Sequence, residues 1–436
     1  MTGIRSQVPA RTGSLLGAAP TVAESAEAYA SAGGYRNAVS PDALLAHIEA
    51  AGLRGRGGAG FPVAVKLRTV RDAGGAPVVV ANGEEGEPGS VKDRWLLRAR
   101  PHLVLDGLAA AAAITGAVRG YVYLSDPYAG ARVRQALAER PPRLPVEVIE
   151  TRHTYVAGEE TAAVRRINGG PALPTAKPPR PFERGVGDEP TLVSNVETLA
   201  RIALIAARPE LRRRISRTTL LTLSGRNGTP LLTEVPYGST LATLAAAQGT
   251  PDATGALMGG LFGGLISAGS LGLPLEPGAL TAAGTALGCG AIRFLAPGEC
   301  PVAVAADALD HLAAESARQC GVCMSGTAAI SDTLHRMTAG TAGPDCVERL
   351  LRWSSGLPGR GACGLLDAAA GTAGSLLLAF PESVRAHLGT PCPACDANPP
   401  SGGHRFSVPV PEVMDAPASD APLPGSSPVP ALKGTP

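Results

Sequence analysis

Lysine is almost missing from this chain. Four of its 39 basic residues are lysines and 35 are arginines. Where arginine is the default cation, a retained lysine marks a place that wants a compact point charge rather than a planar fork. Aromatic residues are also scarce, with two tryptophans, seven tyrosines and six phenylalanines in 436 residues. Charge of one sign is absent in bulk, because the formal net charge is only +2. That balance argues against a nucleic-acid partner and against a polybasic membrane-binding surface. Long charge-free runs are nearly absent too. Thr254–Leu275 is the exception, but its seven glycines and Pro274 make it a buried glycine-rich loop rather than a span. No secretory signal pattern opens the chain. A cytoplasmic location follows, and the eight cysteines read as thiols or metal ligands rather than disulfides.

What the chain does have is glycine, 55 residues of it, and one cluster of it is unusual. Arg54-Gly55-Arg56-Gly57-Gly58-Ala59-Gly60-Phe61 puts four glycines in six positions, with Lys66 just beyond. Bare backbone N–H groups at a helix mouth would cradle an anion, with Arg54, Arg56 and Lys66 supplying positive charge. The spacing is neither that of a phosphate-binding P-loop nor that of the dinucleotide fold. By itself the cluster is as readily an ordinary loop as a site.

Three later blocks answer it. Pro77–Ala81 reads as a buried strand that releases Asn82-Gly83-Glu84-Glu85-Gly86-Glu87, an acidic loop at the edge where open α/β sheets bind ligands. Tyr155-Val156-Ala157-Gly158-Glu159-Glu160-Thr161 opens a helix running to about Ile167. Asn195-Val196-Glu197-Thr198 leads into another helix. The acidic block continues to Arg94, and Lys177-Pro178-Pro179 forms a further block, so Lys66, Lys92 and Lys177, three of the four lysines, each fall inside a block. Further strands are expected at Gly120–Ser125 and Val146–Glu150. From Arg214 onward a strand pair at Thr218–Ser224 and Leu231–Val235, a helix at Thr240–Gln248 and a closing strand at Ala291–Leu295 suggest a small β-grasp-like domain. Helical pattern fills Val302–Leu388.

In order and spacing, these blocks resemble the flavin- and NADH-binding subunit of respiratory complex I, a type shared with NAD-linked hydrogenases and formate dehydrogenases. The resemblance covers about residues 38–390. It implies a flexible arm at 1–34, an α/β domain binding FMN and NAD at 35–213, a β-grasp (SLBB-like) domain at 214–298 and an all-α iron–sulfur bundle at 299–390. Residues 391–436, rich in proline, serine and alanine, read as a disordered tail. The implied FMN site is Gly55, Gly57, Lys66, Asn82, Glu84, Glu85, Tyr155, Gly158, Glu159, Glu160, Asn195 and Thr198. Glu84 stands where the family usually has aspartate, and Ser194 replaces the first of two usual asparagines. The implied dinucleotide contacts are Gly58, Ala59, Phe61, Glu87, Tyr155, Glu160 and Lys177, with Glu87 and Glu160 as the catalytic pair. Two of the family's aromatic positions hold Thr69 and Arg180 instead, which weakens NADH binding and leaves NADPH open as the donor.

The implied cluster site departs further. Cys320, Cys323 and Cys363 occupy ligand positions, but Ala317 stands at the fourth. A [4Fe–4S] cluster with a non-cysteine ligand and a three-cysteine variant are both open. Cys289 and Cys300 read as buried structural thiols, and Cys346 as the nearest stand-in ligand. Cys392-Pro-Ala-Cys395 is a pair able to reach back or to bind another metal. The expected role is an oxidoreductase subunit passing electrons from NAD(P)H through FMN to the cluster. The acceptor would be a ferredoxin-like or thioredoxin-fold iron–sulfur protein. Two alternatives stay open: a flavin electron carrier that no longer uses NADH, and a non-catalytic scaffold.

Overall fold

A computed structural model describes residues 1–9, 13–36 and 39–415. Its strands are β1 (Gly3–Ser6), β2 (Val78–Asn82), β3 (Arg119–Leu124), β4 (Val146–Glu150), β5 (Thr191–Asn195), β6 (Thr218–Gly225), β7 (Leu231–Pro236), β8 (Gly255–Met258), β9 (Leu265–Ser267) and β10 (Ala291–Leu295). The first sheet has the order β4-β3-β2-β5 and is parallel throughout. The strands β2, β3 and β5 are largely buried on both faces, as a sheet covered by helices on both sides requires, while the edge strand β4 is partly exposed. Val79 and Ala81 of β2 face one core, while Val78 and Val80 face a second core with Tyr123, Val164 and Val193. In the larger core the helices Pro101–Thr115 and Val196–Ala207 cross so closely that a Cβ on Gly107 would overlap the Leu199 carbonyl oxygen.

The order places a switch point between β2 and β5, since the chain leaves β2 toward β3 on one side and returns to β5 on the other. Ligands of open α/β sheets lie outside the carboxyl ends at such a point. There Asn82 and Asn195, the last residues of β2 and β5, stand side by side in register. The block Asn195–Thr198 is therefore preceded by a strand that the sequence reading did not separate. This strand consists of the three apolar-compatible residues Thr191, Leu192 and Val193, all buried, and the two that follow them.

The second sheet is mixed, with the order β1-β7-β6-β10-β8-β9. The helix Leu241–Gln248 packs on it, begun by a Thr240 side-chain cap and ended at Gly249, whose φ of 101° is left-handed. The charge-free stretch Thr254–Leu275 supplies β8 and β9 to this sheet rather than a loop alone. Among the described residues no helix is long and apolar enough to cross a membrane. The third region is helical, with Pro301–Ala314, Gly321–Thr338, Asp345–Gly356 and Leu365–Ala379 around a core of Leu309, Ile330, Leu350 and Leu366.

Both ends of the chain depart from expectation. The segment read as a loose arm at 1–34 is packed where it is described. β1 pairs in parallel with β7, and Leu15, Leu16 and Tyr29 are buried. The cause is Glu234 on β7, whose Oε2 accepts Ser14 Oγ at 2.5 Å and Leu15 N at 2.8 Å. The segment read as a disordered tail is likewise folded from 391 to 415. It carries the helix Pro393–Ala397 and buries Cys395, Phe406 and Val408. Asp307 grips it, accepting from Ser401 N, Gly403 N and Arg405 Nε. The rest of the expected tail, 416–436, lies outside the described residues.

Candidate active site

The glycine cluster is a tight loop laid against the carboxyl end of β5. Gly55 N donates to Phe61 O at 2.9 Å, and Arg54 Nε donates to Gly60 O at 3.0 Å. Gly58 and Gly60 have φ of 118° and 60°, and a Cβ on either would meet nothing within 4 Å. These two positions form an open, side-chain-free concavity. Gly57 lies against Asn195, whose Cβ would stand 3.2 Å from an added methyl. Phe61 projects at the rim, 52% exposed.

Of the three expected cations, Lys66 faces the crevice. Its Nζ lies 2.7 Å from Val193 O and 3.4 Å from Glu160 Oε2. Arg56 instead turns away from the crevice. It donates to Tyr237 Oη, to Ser216 O at 2.8 Å and to Thr218 O at 3.0 Å, and burial lowers its pKa to about 9. It ties the loop to the second sheet rather than offering charge to a ligand. Thr198, expected as a contact, does the same work from below: its Oγ1 accepts Arg56 N at 2.9 Å.

The loop after β2 meets the loop before the helix Glu160–Ile167. Asn82 Nδ2 donates to Gly158 O at 2.8 Å, and a Cβ on Gly158 would stand 3.0 Å from Glu84 O. Glu159 caps that helix, accepting Thr161 N at 2.8 Å through Oε2, while its Oε1 lies 2.6 Å from Lys177 Nζ. Glu160 stands between the two lysines, 3.5 Å from Lys177 and 3.4 Å from Lys66. Lys66, Glu160, Lys177 and Glu159 thus make one partly exposed chain of alternating charge running from the helix after the glycine loop.

Glu84 and Glu87 are the two acids with spare capacity. Glu84 Oε1 meets His153 Nδ1 at 3.1 Å, a contact that raises the imidazole above its ordinary value, while Oε2 is buried without a partner. His153 was not singled out in the sequence, and no spacing signal marks it. Glu87 Oε2 accepts Leu261 N at 3.0 Å, its Oε1 is buried without a partner, and burial pushes the carboxyl up to about 7. Glu85 is different. Its Oε1 accepts Ser90 Oγ and Asp93 N, its Oε2 accepts Arg94 N and Arg94 Nε, so both oxygens are committed to the start of the helix Lys92–Ala99. It is a support for the loop, not a free ligand contact.

The three cysteines expected to hold a cluster come together. Cys320, Cys323 and Cys363 line one small cavity with Ser316, Ala317, Arg318 and Pro174. Ser316 Oγ lies 3.8 Å from Cys323 Sγ. Cys346 does not join them. It is fully buried, with Arg336 Nη2 at 2.9 Å from its sulfur. The cavity sits beside the helix Glu160–Ile167 and the turn before it: Tyr155 N donates to Glu315 Oε2 at 2.8 Å, and Arg165 Nη1 donates to Gln319 Oε1 at 3.0 Å.

Residues 48–204 match the Nuo51 FMN-binding domain, and residues 303–387 match the NADH-ubiquinone oxidoreductase-F iron-sulfur binding region. The second F-type subunit of the NADH-quinone oxidoreductase of Rhizobium meliloti (strain 1021) is 32% identical over 396 residues, spanning 83% of this chain and 93% of that protein. This chain belongs to the family of F-type subunits of NADH-quinone oxidoreductase. The corresponding F-type subunit of Escherichia coli (strain K12) is 31% identical over 403 residues, covering 83% of this chain and 89% of the relative. The fold is shared with a chain of the NAD+-reducing [NiFe]-hydrogenase in its H2-reduced state, at a TM-score of 0.76 and 31% identity. That match covers 91% of this chain and 70% of the hydrogenase chain. In the air-oxidized state the TM-score is 0.72 at 28% identity, covering 88% of this chain and 66% of that one.

As a member of this family, the chain is an oxidoreductase subunit with an FMN-binding domain and an iron–sulfur region. Its residues fit both groups. The open glycine concavity at a switch point, with Lys66 and Asn195 beside it, suits a flat polar ligand. Three thiols on one cavity suit a cluster that takes its fourth ligand from something other than Ala317.

The raised Glu87 carboxyl has a thermodynamic signature. Because its folded value lies near 7 and the ordinary value is 4.5, the folded state binds the proton more tightly. Stability therefore falls as pH rises from about 4.5 to 7. Glu87→Gln removes that slope. In thermal melts the variant should gain on the wild type at pH 8 relative to pH 5, and an equal difference at both values would show that Glu87 is not held protonated.

Proposed function

We propose that this subunit accepts electrons from NADH at the switch-point crevice and delivers them, through FMN and the cluster, to an iron–sulfur partner protein of ferredoxin-like or thioredoxin fold. The observation that carries this is the meeting of the glycine loop, Asn195 and the Lys66–Glu160–Lys177 chain around one crevice. Bound there, FMN would take an electron pair and release electrons singly, which iron–sulfur centres require. Gly55, Gly57, Lys66, Asn82, Glu84, Tyr155, Gly158, Glu159 and Asn195 are assigned to holding it, with Glu85 and Thr198 fixing the loops from behind.

The dinucleotide is assigned to the outer side of the same crevice. Gly58 and Ala59 leave room for a ring, Phe61 offers a face at the rim, and Lys177 supplies charge for a phosphate. Glu160 keeps the two lysines apart, while Glu87, expected beside it as a catalytic partner, is turned toward Gly260 and Leu261 in a cavity shared with Phe406. Thr69 and Arg180 are both exposed in place of rings. Two lost stacking contacts of about 1 kcal/mol each would weaken the dinucleotide about tenfold to a hundredfold. Cys320, Cys323 and Cys363 are assigned to the cluster, and the hydrogen bonds from Tyr155 and Arg165 keep its loop beside the flavin wall. The mixed sheet with the helix Leu241–Gln248 is assigned as the β-grasp (SLBB-like) domain. The reading keeps the chain in the cytoplasm, where thiolate ligands stay reduced.

Two measurements test this. Anaerobically purified protein should carry flavin, and stopped-flow mixing with NADH should bleach it; an intact flavin spectrum at millimolar NADH and NADPH would sink the donor assignment in favour of a flavin carrier. Ala317→Cys should raise bound iron or lengthen the life of the cluster in air. Iron content and lifetime both unchanged would mean the fourth position is already filled by a strong ligand.

A further inference from the structure

A second group of thiols gathers in the helical region, apart from the cavity of Cys320, Cys323 and Cys363. Cys300, His387, Cys392 and Cys395 bring their ligand atoms within 4.8 Å of one another. Cys300 Sγ and Cys395 Sγ each lie 3.3 Å from His387 Nε2. Ligands at about 2.3 Å for sulfur and 2.0–2.1 Å for nitrogen, set at tetrahedral corners, stand about 3.5–3.8 Å apart. The four atoms are thus gathered to the scale of one ion. An iron–sulfur cluster spreads its thiolates wider, because several irons and sulfides stand between them.

The histidine is already oriented for this. His387 Nδ1 lies 2.6 Å from Ser383 O, and that carbonyl can accept only from an Nδ1–H. The Nε2 lone pair is left pointing at the sulfurs, the arrangement that fixes a metal-binding imidazole. Around the pair Cys392–Cys395 the backbone is folded into a knuckle, with Cys395 N and Asp396 N both donating to Cys392 O. Cys300, His387 and Cys395 are buried and Cys392 is half-buried, so no position is open to a substrate. None of the four lines the cavity of Cys320, Cys323 and Cys363. Cys300, Cys392 and Cys395 also fall outside the matched iron–sulfur region, 303–387.

We propose that Cys300, His387, Cys392 and Cys395 bind one zinc ion as a closed structural site. Three sulfurs and one imidazole nitrogen in a tetrahedron select zinc over hard cations. Binding releases three thiol protons as the three Zn–S bonds form, with no change of oxidation state.

The site clasps the C-terminal strap. Beyond Cys395 the chain is gripped by Asp307, then Val408 N donates to Pro88 O at 3.2 Å and Thr2 Oγ1 donates to Pro409 O at 2.5 Å. Phe406 of this strap lines a cavity with Glu87. The zinc therefore secures a segment that runs from the helical region past the acidic loop to the N-terminal strand.

The test uses the full-length protein, purified without chelator from zinc-supplemented medium. Metal analysis should find about one zinc per chain besides the iron, and zinc-edge X-ray absorption should show three sulfurs and one nitrogen. Cys392→Ser with Cys395→Ser should remove the zinc, leave the iron, and speed proteolysis of 398–415 at least tenfold. Cys320→Ser should do the reverse for the metals. Zinc below a tenth of an equivalent in the wild type, a zinc shell without three sulfurs, iron in place of zinc at these residues, or a Cys300–Cys395 disulfide in the denatured protein would each overturn the proposal. The absorption and disulfide measurements need no variant, so they decide even if the double variant fails to fold.

Discussion

A carboxylate shut away from water holds the parts of this chain together. Glu197 is wholly buried at the start of the helix that follows β5. Burial alone would raise its pKa, but Lys92, Arg201 and Arg56 overcome that and hold it near 2. Arg201 meets Glu197 Oε1 at 2.8 Å and also donates to Ile215 O and Thr218 Oγ1. Lys92 lies 3.2 Å from Glu197 Oε2 and 2.7 Å from Asp93 Oδ1. Asp93 in turn accepts Asn195 Nδ2 at 2.7 Å. Through Thr218 the network reaches Glu234, which holds the N-terminal segment. Removing one partner of a buried ion pair typically costs about 3–5 kcal/mol, because the other charge is stranded. Such a cluster is a weak source of net stability, yet here it sets the register of four elements at once.

That register makes the crevice. The glycine loop has few side chains to pack, so its position depends on Arg56 reaching into the buried network and on Thr198 bonding its backbone. The acidic loop depends on Glu85 in the same way. With both loops fixed from behind, Gly58, Gly60 and Lys66 can line the crevice without other side chains filling the space. The part of the crevice proposed for the flavin is thus built on rigid support. The part proposed for the dinucleotide consists of the exposed Phe61 and a chain of partly exposed charges, where water competes for every contact.

Much of this was legible in the sequence, because the blocks that line the crevice carry dense, ordered signals: four clustered glycines, strand-end acids and lysines kept against an arginine background. The strand Val146–Glu150 and the closing strand Ala291–Leu295 appear at their expected bounds for the same reason, being short runs rich in apolar residues between turn residues. What stayed hidden depends on single distant partners. Arg56 and Glu85 read as ligand contacts, and only their buried partners show them to be anchors. The N-terminal arm carries no local pattern that predicts its packing; Glu234 takes the amides of Leu15 and Leu16 from a distant strand. Cys300 read as a lone buried thiol because its companions lie about ninety residues on, in a segment whose composition suggests disorder. Local composition cannot report a fold held by one carboxylate, Asp307, or by four convergent ligands.

The central claim is that Arg56 shapes the flavin pocket from behind instead of touching a phosphate. Equilibrium binding of FMN and of riboflavin to Arg56→Met, compared with the wild-type chain, separates the two roles. Loss of the anchor should weaken both ligands by the same factor, about tenfold or more, because the whole loop is displaced. A variant that loses affinity for FMN but keeps riboflavin, or that binds both as the wild type does, would contradict the account.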